Sequence, residues 1–431
     1  MFPLATLTVA AVLCMANAAS AKYVFAHFMA QNSYSYAQSD WVNDMTTAKN
    51  IGIDGFALNI ANGTDYEIDP QLGYAYAAAE QVGFQLFYSF DMSYTWDAAT
   101  IASVVASYAS SSSAFRYGDN NNLLVSSYSG ESYGDSFWSG VKSTLSGQGI
   151  DITFAPAFTS YRDPSENTTL LSTFPSIDGF FNWWSWPADV DANLTTATDV
   201  AYQAAAESRG GPYIMAVSPW QFKNLNAGSD TDWVEYSDTL WDYRWQQALE
   251  VQPDIVEIVT WNDYAESHYI GDINPNVNLG TEAPLYVDGF VHAAWRDVAQ
   301  YYISWYKTGA QPSISDEEVV FWYRAYPKGV TCSTGSLPRN ADFPADAVFA
   351  IAMLGSPATL TLAIGSQETN WSAPAGLSMG YVPFPTEDAQ IPYIEVSRDG
   401  TKVFDGYGSM YVNQTGCDYY NFNPFVGKAP N

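Results

Sequence analysis

Two carboxylates three residues apart, Asp263 and Glu266, stand inside the run Trp261-Asn262-Asp263-Tyr264-Ala265-Glu266-Ser267-His268-Tyr269. A pair of carboxyl groups beside flat rings is what hydrolysis of a glycosidic bond requires. One acid protonates the leaving oxygen, and one carboxylate acts on the opposite face of the sugar. The competing reading is a solvated loop in an acidic chain. A loop of this length separates its ends by at most about 10 Å, at about 3.3–3.6 Å per residue. Both the ~5–5.5 Å separation of retaining pairs and the ~6.5–9.5 Å of inverting pairs are within reach, so spacing leaves the stereochemistry open. The longer Glu266 side chain is expected to reach the glycosidic oxygen as the acid, with Asp263 as the base.

These acids follow Ile255–Thr260, a β-branched apolar run that reads as a buried strand. Similar runs occur at Tyr23–Met29, Gly55–Ile60, Gln85–Phe90, Leu123–Tyr128, Ile152–Phe158, Gly179–Trp183 and Tyr213–Val217. Helical-looking segments fall between them, including Asp40–Asn50, Leu72–Gln81, Ala98–Ser107 and Asp199–Ser208, the last opening on an aspartate suited to capping. Repeated strand–helix units closed by a final helix at Asp288–Tyr306 describe a (β/α)8 TIM barrel over residues 21–308. An open doubly wound sheet is the rival, but Met29-Ala30-Gln31-Asn32-Ser33 offers no glycine-rich phosphate turn after the first strand.

In such a barrel catalytic groups project from the carboxyl ends of the strands, which is where Asp263 and Glu266 fall. Other strand ends supply candidate sugar contacts. His27 lies near the end of the first strand, Asn59 ends the second, and Asp91, a reserve catalytic acid, follows the third. Trp183, Trp184 and Trp220 follow the sixth and seventh strands and could stack on glucose rings or pack as core. Trp261, Asn262, Tyr264, His268 and Tyr269 surround the acids within the loop itself. Asp54 precedes the second strand, on the face associated with stability, and reads as structural.

Composition narrows the partners. The formal charge of −30 disfavours nucleic acid and anionic membrane surfaces, both of which call for basic patches. Residues 1–20 carry no charge, hold the apolar stretch Leu4–Met15 and end near Ala16-Asn17-Ala18, as a secretory signal does; no later run is long and apolar enough to span a membrane. Removal of the signal takes Cys14 with it, leaving Cys332 and Cys417, an expected disulfide in an exported protein. Sequons at Asn62, Asn167, Asn193, Asn370 and Asn413 are candidate glycan sites. Beyond the Lys307–Ser315 linker, Gly- and Pro-rich turns separate short apolar strands, so residues 309–431 are expected to form a β-sandwich-like accessory domain.

Two patterns are decoys. Gly376-Leu377-Ser378-Met379-Gly380 matches a serine-hydrolase elbow, but the three histidines, His27, His268 and His292, all precede it. Those scattered histidines, without an H-E-x-x-H pattern, give no reason to expect a metal or any other cofactor.

Trp261-Asn262-Asp263-Tyr264-Ala265-Glu266-Ser267 resembles the W-N-D-[YF]-[GA]-E-S signature of the fungal endo-α-1,3-glucanases called mutanases, glycoside hydrolase family 71. Val24-Phe25-Ala26-His27-Phe28-Met29, Gly52-Ile53-Asp54-Gly55-Phe56-Ala57-Leu58-Asn59 and Phe180-Phe181-Asn182-Trp183-Trp184-Ser185-Trp186 resemble the same family. The resemblance implies a barrel followed by a β-sandwich, inverting hydrolysis of α-1,3-glucan, and Asp263 with Glu266 as the catalytic pair. Ala265 replaces a common glycine. A secreted, monomeric, endo-acting enzyme is the expectation. The rivals are a glycosidase of another polysaccharide and a catalytically idle cell-wall carbohydrate-binding protein.

Overall fold

The protein is described from a computed structural model covering residues 22–61, 68–228 and 230–430. The expected secretory signal and the Asn62 sequon lie outside the described residues.

Strands and helices alternate from the start: β1 (Tyr23–Met29), α1 (Gln38–Asn50), β2 (Gly55–Ile60), α2 (Ile68–Val82), β3 (Gln85–Asp91), α3 (Ala98–Ser107), β4 (Asn122–Tyr128) and α4 (Asp135–Ser146). They continue through β5 (Ile152–Phe154), α5 (Asn167–Thr173), β6 (Phe180–Asn182), α6 (Ala197–Glu207), β7 (Tyr213–Val217), α7 (Leu240–Val251), β8 (Ile255–Ile258) and α8 (Trp295–Thr308). Neighbouring strands pair in parallel from β1 through β5 and from β6 through β8 back to β1. The resulting curled sheet is TIM-barrel-like. Its two ends approach each other, with Asp178 N and Gly179 N donating to Phe154 O and Phe181 N donating to Pro156 O.

Strand periodicity sorts the side chains. Alternate residues of a strand face opposite sides. Val24, Ala26, Phe28, Phe56 and Leu58 therefore pack outward under the helices, while Phe25, Ala57, Phe87, Leu124, Phe181 and Ile214 fill the interior. Further along the same inward rows come His27, Asn59, Asp91, Tyr128, Trp183 and Glu257. The interior is thus apolar at the amino ends of the strands and turns polar towards their carboxyl ends.

Three expected elements are revised. β5 stops at Phe154 rather than Phe158, since Pro156 has no N–H to donate to the ladder. The final helix begins at Trp295, because Gly289 takes the left-handed conformation (φ 85°) after a single helical turn at Pro284–Val287. Asp199 is not a cap. It lies inside α6, fully buried, and pairs with Arg244 at 2.7 Å.

Two four-stranded antiparallel sheets follow. Gly376–Pro383, Ala347–Leu354, Glu318–Arg324 and Pro424–Ala429 make the first; Gln367–Ala373, Ala358–Ile364, Tyr393–Arg398 and Thr401–Tyr407 make the second. Phe321, Val348, Leu360, Leu362, Ile394 and Val396 share one apolar cluster between them. The other face of the first sheet, including Val320, Trp322 and Ile351, packs into the cluster formed with the helices of the first unit. Cys332 and Cys417 are disulfide-bonded, joining the short paired strands Cys332–Thr334 and Cys417–Tyr419. Gly376–Gly380 lies in an edge strand rather than a strand–turn–helix elbow.

Candidate active site

The loop after β8 is fixed at both ends. Trp261 N donates to His27 O, and the Asn262 side chain accepts from Met29 N (2.7 Å) and donates to Met29 O (3.1 Å), so the loop extends the ladder with β1. Thr260 N donates to His268 O, and Ile270 N donates to Thr260 O. Within the turn, Thr260 Oγ1 accepts from Asp263 N at 2.8 Å and an Asp263 carboxylate oxygen accepts from Glu266 N at 3.2 Å. Gly271 has a steric role: a Cβ there would stand 2.7 Å from the Trp261 carbonyl oxygen.

A second loop, after β7, turns back as the short ribbon of Phe222–Lys223 paired with Trp233–Val234. Phe222 N donates to Glu266 O, locking the two loops together. Gln221 Nε2 donates to Glu266 Oε2 (3.1 Å), Lys223 Nζ lies 3.3 Å from Oε1, and His268 Nε2 lies 3.3 Å from Oε2. The other His268 nitrogen meets Thr260 Oγ1 at 3.1 Å.

These contacts drive the two carboxyls apart. Asp263 is raised above the ordinary aspartate range, by loss of water first and the neighbouring Glu266 charge second. Glu266 suffers desolvation too, but hydrogen bonds and charge from His268, Lys223 and Gln221 outweigh it, and its carboxyl falls well below the ordinary glutamate range. Asp263 therefore keeps a proton where Glu266 is ionised. The order expected from side-chain length left out His268 and the cation and amide that the β7 loop brings to Glu266.

Around the pair, Trp183 is half-buried and meets both His27 and Tyr128 edge-on, each at 4.9 Å between ring centroids. Tyr128 is held well above the ordinary phenol range, by burial first and then by the charges of Glu266, Asp91, Glu131 and Asp263. Asp91 is also raised by burial, against hydrogen bonds from Ser93 and the nearby His27. His27 is fully buried with Nδ1 2.7 Å from Glu257 Oε1, while its Nε2 has no protein partner. Burial raises the Glu257 carboxyl, and His27 partly offsets this. Asn59 is buried with an unpartnered Oδ1. Trp184 is half-buried, donates to Thr159 O and carries the Arg162 guanidinium 4.1 Å over its ring.

The remaining expected sugar contacts lie within the fold. Trp220, Trp261, Tyr264 and Tyr269 are at most 1% exposed, and Asn262 is fully buried. Trp220 Nε1 donates to Phe422 O, Tyr264 OH to Asp272 O and Tyr269 OH to Phe290 O. In the structure these residues offer no open face to a sugar. Asp54 binds Val24 N and Lys307 at the amino end of the strands.

Sequence reasoning passed over Glu257, Tyr128, Gln221 and Lys223. Glu257 had left a signal, one acid in the otherwise apolar run Ile255-Val256-Glu257-Ile258-Val259-Thr260. Among the described residues, Asp263, Glu266 and His268 each bring one oxygen or nitrogen within 4.8 Å of the others, the only such cluster that could hold a metal. The Lys223 ammonium lies 3.3 Å from the same Glu266 carboxylate. A cavity of about 510 Å³ between Leu285, Phe290, Tyr326 and Tyr411 contains neither carboxylate.

Oppositely tuned carboxyls at the carboxyl-end mouth of a TIM-barrel-like sheet define a glycosidase-type centre. The Glycosyl hydrolase family 71 model matches residues 20–431, and the chain belongs to that family. It is 37% identical to a mutanase of Penicillium rubens, covering 95% of this chain and 89% of that one. It is 38% identical to a glucan endo-1,3-alpha-glucosidase of Schizosaccharomyces pombe, covering 94% of each. The same yeast's ascus wall endo-1,3-alpha-glucanase is 31% identical over 93% of this chain and 96% of that one. A solved structure, a family 99 endo-alpha-mannosidase of Bacteroides thetaiotaomicron, aligns with TM-score 0.51 and 12% identity over 67% of this chain and 98% of that one, a likeness of fold alone.

Proposed function

We propose that this chain hydrolyses α-1,3-glucosidic bonds of α-1,3-glucan, with Asp263 as general acid and Glu266 as general base. The carrying observation is the opposite tuning of these two carboxyls, combined with full-length similarity to enzymes named for that linkage. In the inverting reaction that the family resemblance implies, Glu266 takes a proton from water as its oxygen attacks the anomeric carbon. The glycosidic C–O bond breaks, and Asp263 delivers its proton to the departing oxygen. Solvent then reprotonates Asp263 and deprotonates Glu266.

A second reading has one observation in its favour. Oxygens of the two carboxyls lie within 4.8 Å, closer to the ~5–5.5 Å of retaining pairs than to the ~6.5–9.5 Å that accommodates a water. In a retaining enzyme Glu266 would be the nucleophile, with Asp263 acting first as acid and then as base. NMR of the first-released anomer from a soluble α-1,3-glucan decides: β for inversion, α for retention. Release of sugar from β-1,3-glucan, with none from α-1,3-glucan, overturns the substrate assignment.

Endo action, secretion and a monomeric state complete the proposal. The disulfide supports export, and among the described residues no helix is long and apolar enough to cross a membrane. In this reading residues 21–308 form a (β/α)8 catalytic barrel, and residues 309–431 form an accessory β-sandwich that buttresses it. Asn167, Asn193, Asn370 and Asn413 are its candidate glycan sites, and His27, Asn59, Asp91, Trp183 and Trp184 its sugar contacts.

A further inference from the structure

The ribbon after β7 has two unlike faces. Lys223 pairs with Trp233 and Phe222 with Val234, and one step further Glu235 N donates to Gln221 O. Cross-strand partners point to the same side of a ribbon, and alternate pairs point to opposite sides. Phe222 and Val234 therefore turn into the core, where both are fully buried. Gln221, Lys223, Trp233 and Glu235 share the other face, which is the face whose Gln221 and Lys223 hold Glu266.

That face carries buried polar atoms with no partner in the protein. Gln221 is 4% exposed and Glu235 9% exposed; Gln221 Oε1 and Glu235 Oε2 are each left without a hydrogen bond. Orphaned buried acceptors are costly unless something completes them. The surroundings are those of a sugar site. The Trp233 ring is half-buried beneath Lys223 Nζ at 5.0 Å and the Arg339 guanidinium at 6.0 Å. Arg162, Arg339 and Asp189 are the charges felt by Glu235, and Arg162 in turn lies over the half-buried Trp184 ring.

We propose that Gln221 and Glu235, with the Trp184 and Trp233 indoles as apolar walls, form a subsite for one glucosyl unit of the chain being cleaved, adjoining Glu266, with Glu235 as a specificity-determining residue. A sugar hydroxyl both donates and accepts, and an amide carbonyl beside a carboxyl group answers both needs. Burial, reinforced by Asp189, raises the Glu235 carboxyl to about 8 against the pull of Arg339 and Arg162. In mildly acidic surroundings it is a neutral carboxylic acid able to donate to that hydroxyl. The site also ties binding to chemistry, since Gln221 contacts the sugar through Oε1 and Glu266 through Nε2.

The inference rests on the α-1,3-glucan reading, and its test keeps the two apart. Wild type, Glu235→Ala, Glu235→Gln and Trp233→Ala are assayed on soluble α-1,3-oligosaccharides of graded length, reading KM, kcat and product sizes. Glu235→Ala and Trp233→Ala are expected to raise KM about tenfold, with kcat changed less than about threefold and product sizes shifted. Glu235→Gln, a neutral donor and acceptor of the same shape, recovers most of the affinity lost in Glu235→Ala. Unchanged KM and product sizes in either alanine variant, in an enzyme that cleaves α-1,3-glucan, overturn the subsite. Equal loss in Glu235→Ala and Glu235→Gln overturns the role of Glu235. Should Glu235→Ala not fold, Trp233→Ala and Glu235→Gln still decide. A wild type that releases nothing from α-1,3-glucan overturns the functional reading itself.

Discussion

The loops after β8 and β7 meet at Glu266 but are built to different ends. The β8 loop is nine residues of concentrated chemistry, fixed to β1 through Trp261 and Asn262 and closed on itself by Thr260 and Ile270. It carries both acids, and its own His268 is the first of the groups that lower Glu266. The β7 loop carries neither acid, yet its Lys223 and Gln221 add to the lowering of Glu266. One loop supplies the two carboxyls and the other helps to set their environments apart, which is how two like groups acquire unlike pKa values.

The sharpest way to break that division is to remove the acids. Asp263→Asn and Glu266→Gln are each expected to lower kcat about 10²–10⁴-fold, with glucan binding retained in a sedimentation assay. Turnover kept in both would detach the chemistry from the β8 loop altogether. If Asp263 is the acid, a substrate with a good leaving group, such as an α-glucosyl aryl ether, should suffer less from Asp263→Asn than from Glu266→Gln.

Lys223→Met tests the contribution of the β7 loop. Glu266 must be ionised to act as base, so activity is lost as pH falls through its pKa. Removing the ammonium at 3.3 Å raises that pKa and moves the acidic limb of the kcat/KM profile to higher pH. A loss of about tenfold is expected on the acid side, shrinking as pH rises, while the alkaline limb set by Asp263 moves little. An acidic limb that stays in place would assign the tuning to His268 instead.

Asn262→Ala loosens the β8 loop without touching an acid. It leaves Met29 N and Met29 O unpaired beneath the turn, which costs stability by about 1–3 kcal/mol in thermal unfolding. Turnover is expected to fall only a few-fold, because Trp261 N and Thr260 still hold the loop to its neighbours.

The same contrast explains what could be read without a structure. The β8 loop was legible because its chemistry is contiguous in sequence, and the parallel strands because apolar runs recur between helical stretches. Gln221, Lys223 and Glu235 were not, because each is an ordinary polar residue until the ribbon brings it to one face. The unlike environments of the two acids were hidden for the same reason: one of the groups that lowers Glu266 is a cation 43 residues away along the chain. Trp220 and Trp261 illustrate the opposite error. An indole at a strand end reads as a sugar platform, but whether it faces the cleft depends on what packs over it, and Trp220 is covered by the Phe422 segment. Asp199 looked like a cap because its partner, Arg244, comes from the next helix.

The smallest effect on turnover is expected from the disulfide, and it falls on one loop only. The bridged strands present Tyr419, whose hydroxyl donates to Asn224 O, while Asn224 Nδ2 donates to Ser336 O and Tyr420 O. Asn224 follows Lys223, so the crosslink supports the β7 ribbon from below. The β8 loop instead rests on β1 and on the Tyr286 hydroxyl, which donates to Ala265 O at 2.7 Å. Replacing Cys332 and Cys417 together by serine removes a crosslink between residues 85 apart and should cost about 2–5 kcal/mol of stability. Below the lowered melting temperature, kcat should be nearly unchanged and KM should rise a few-fold, since the ribbon would position Gln221 and Glu235 less firmly. A fall in kcat with KM constant would mean that the crosslink reaches the acids as well, through the Phe222 N–Glu266 O bond that joins the two loops.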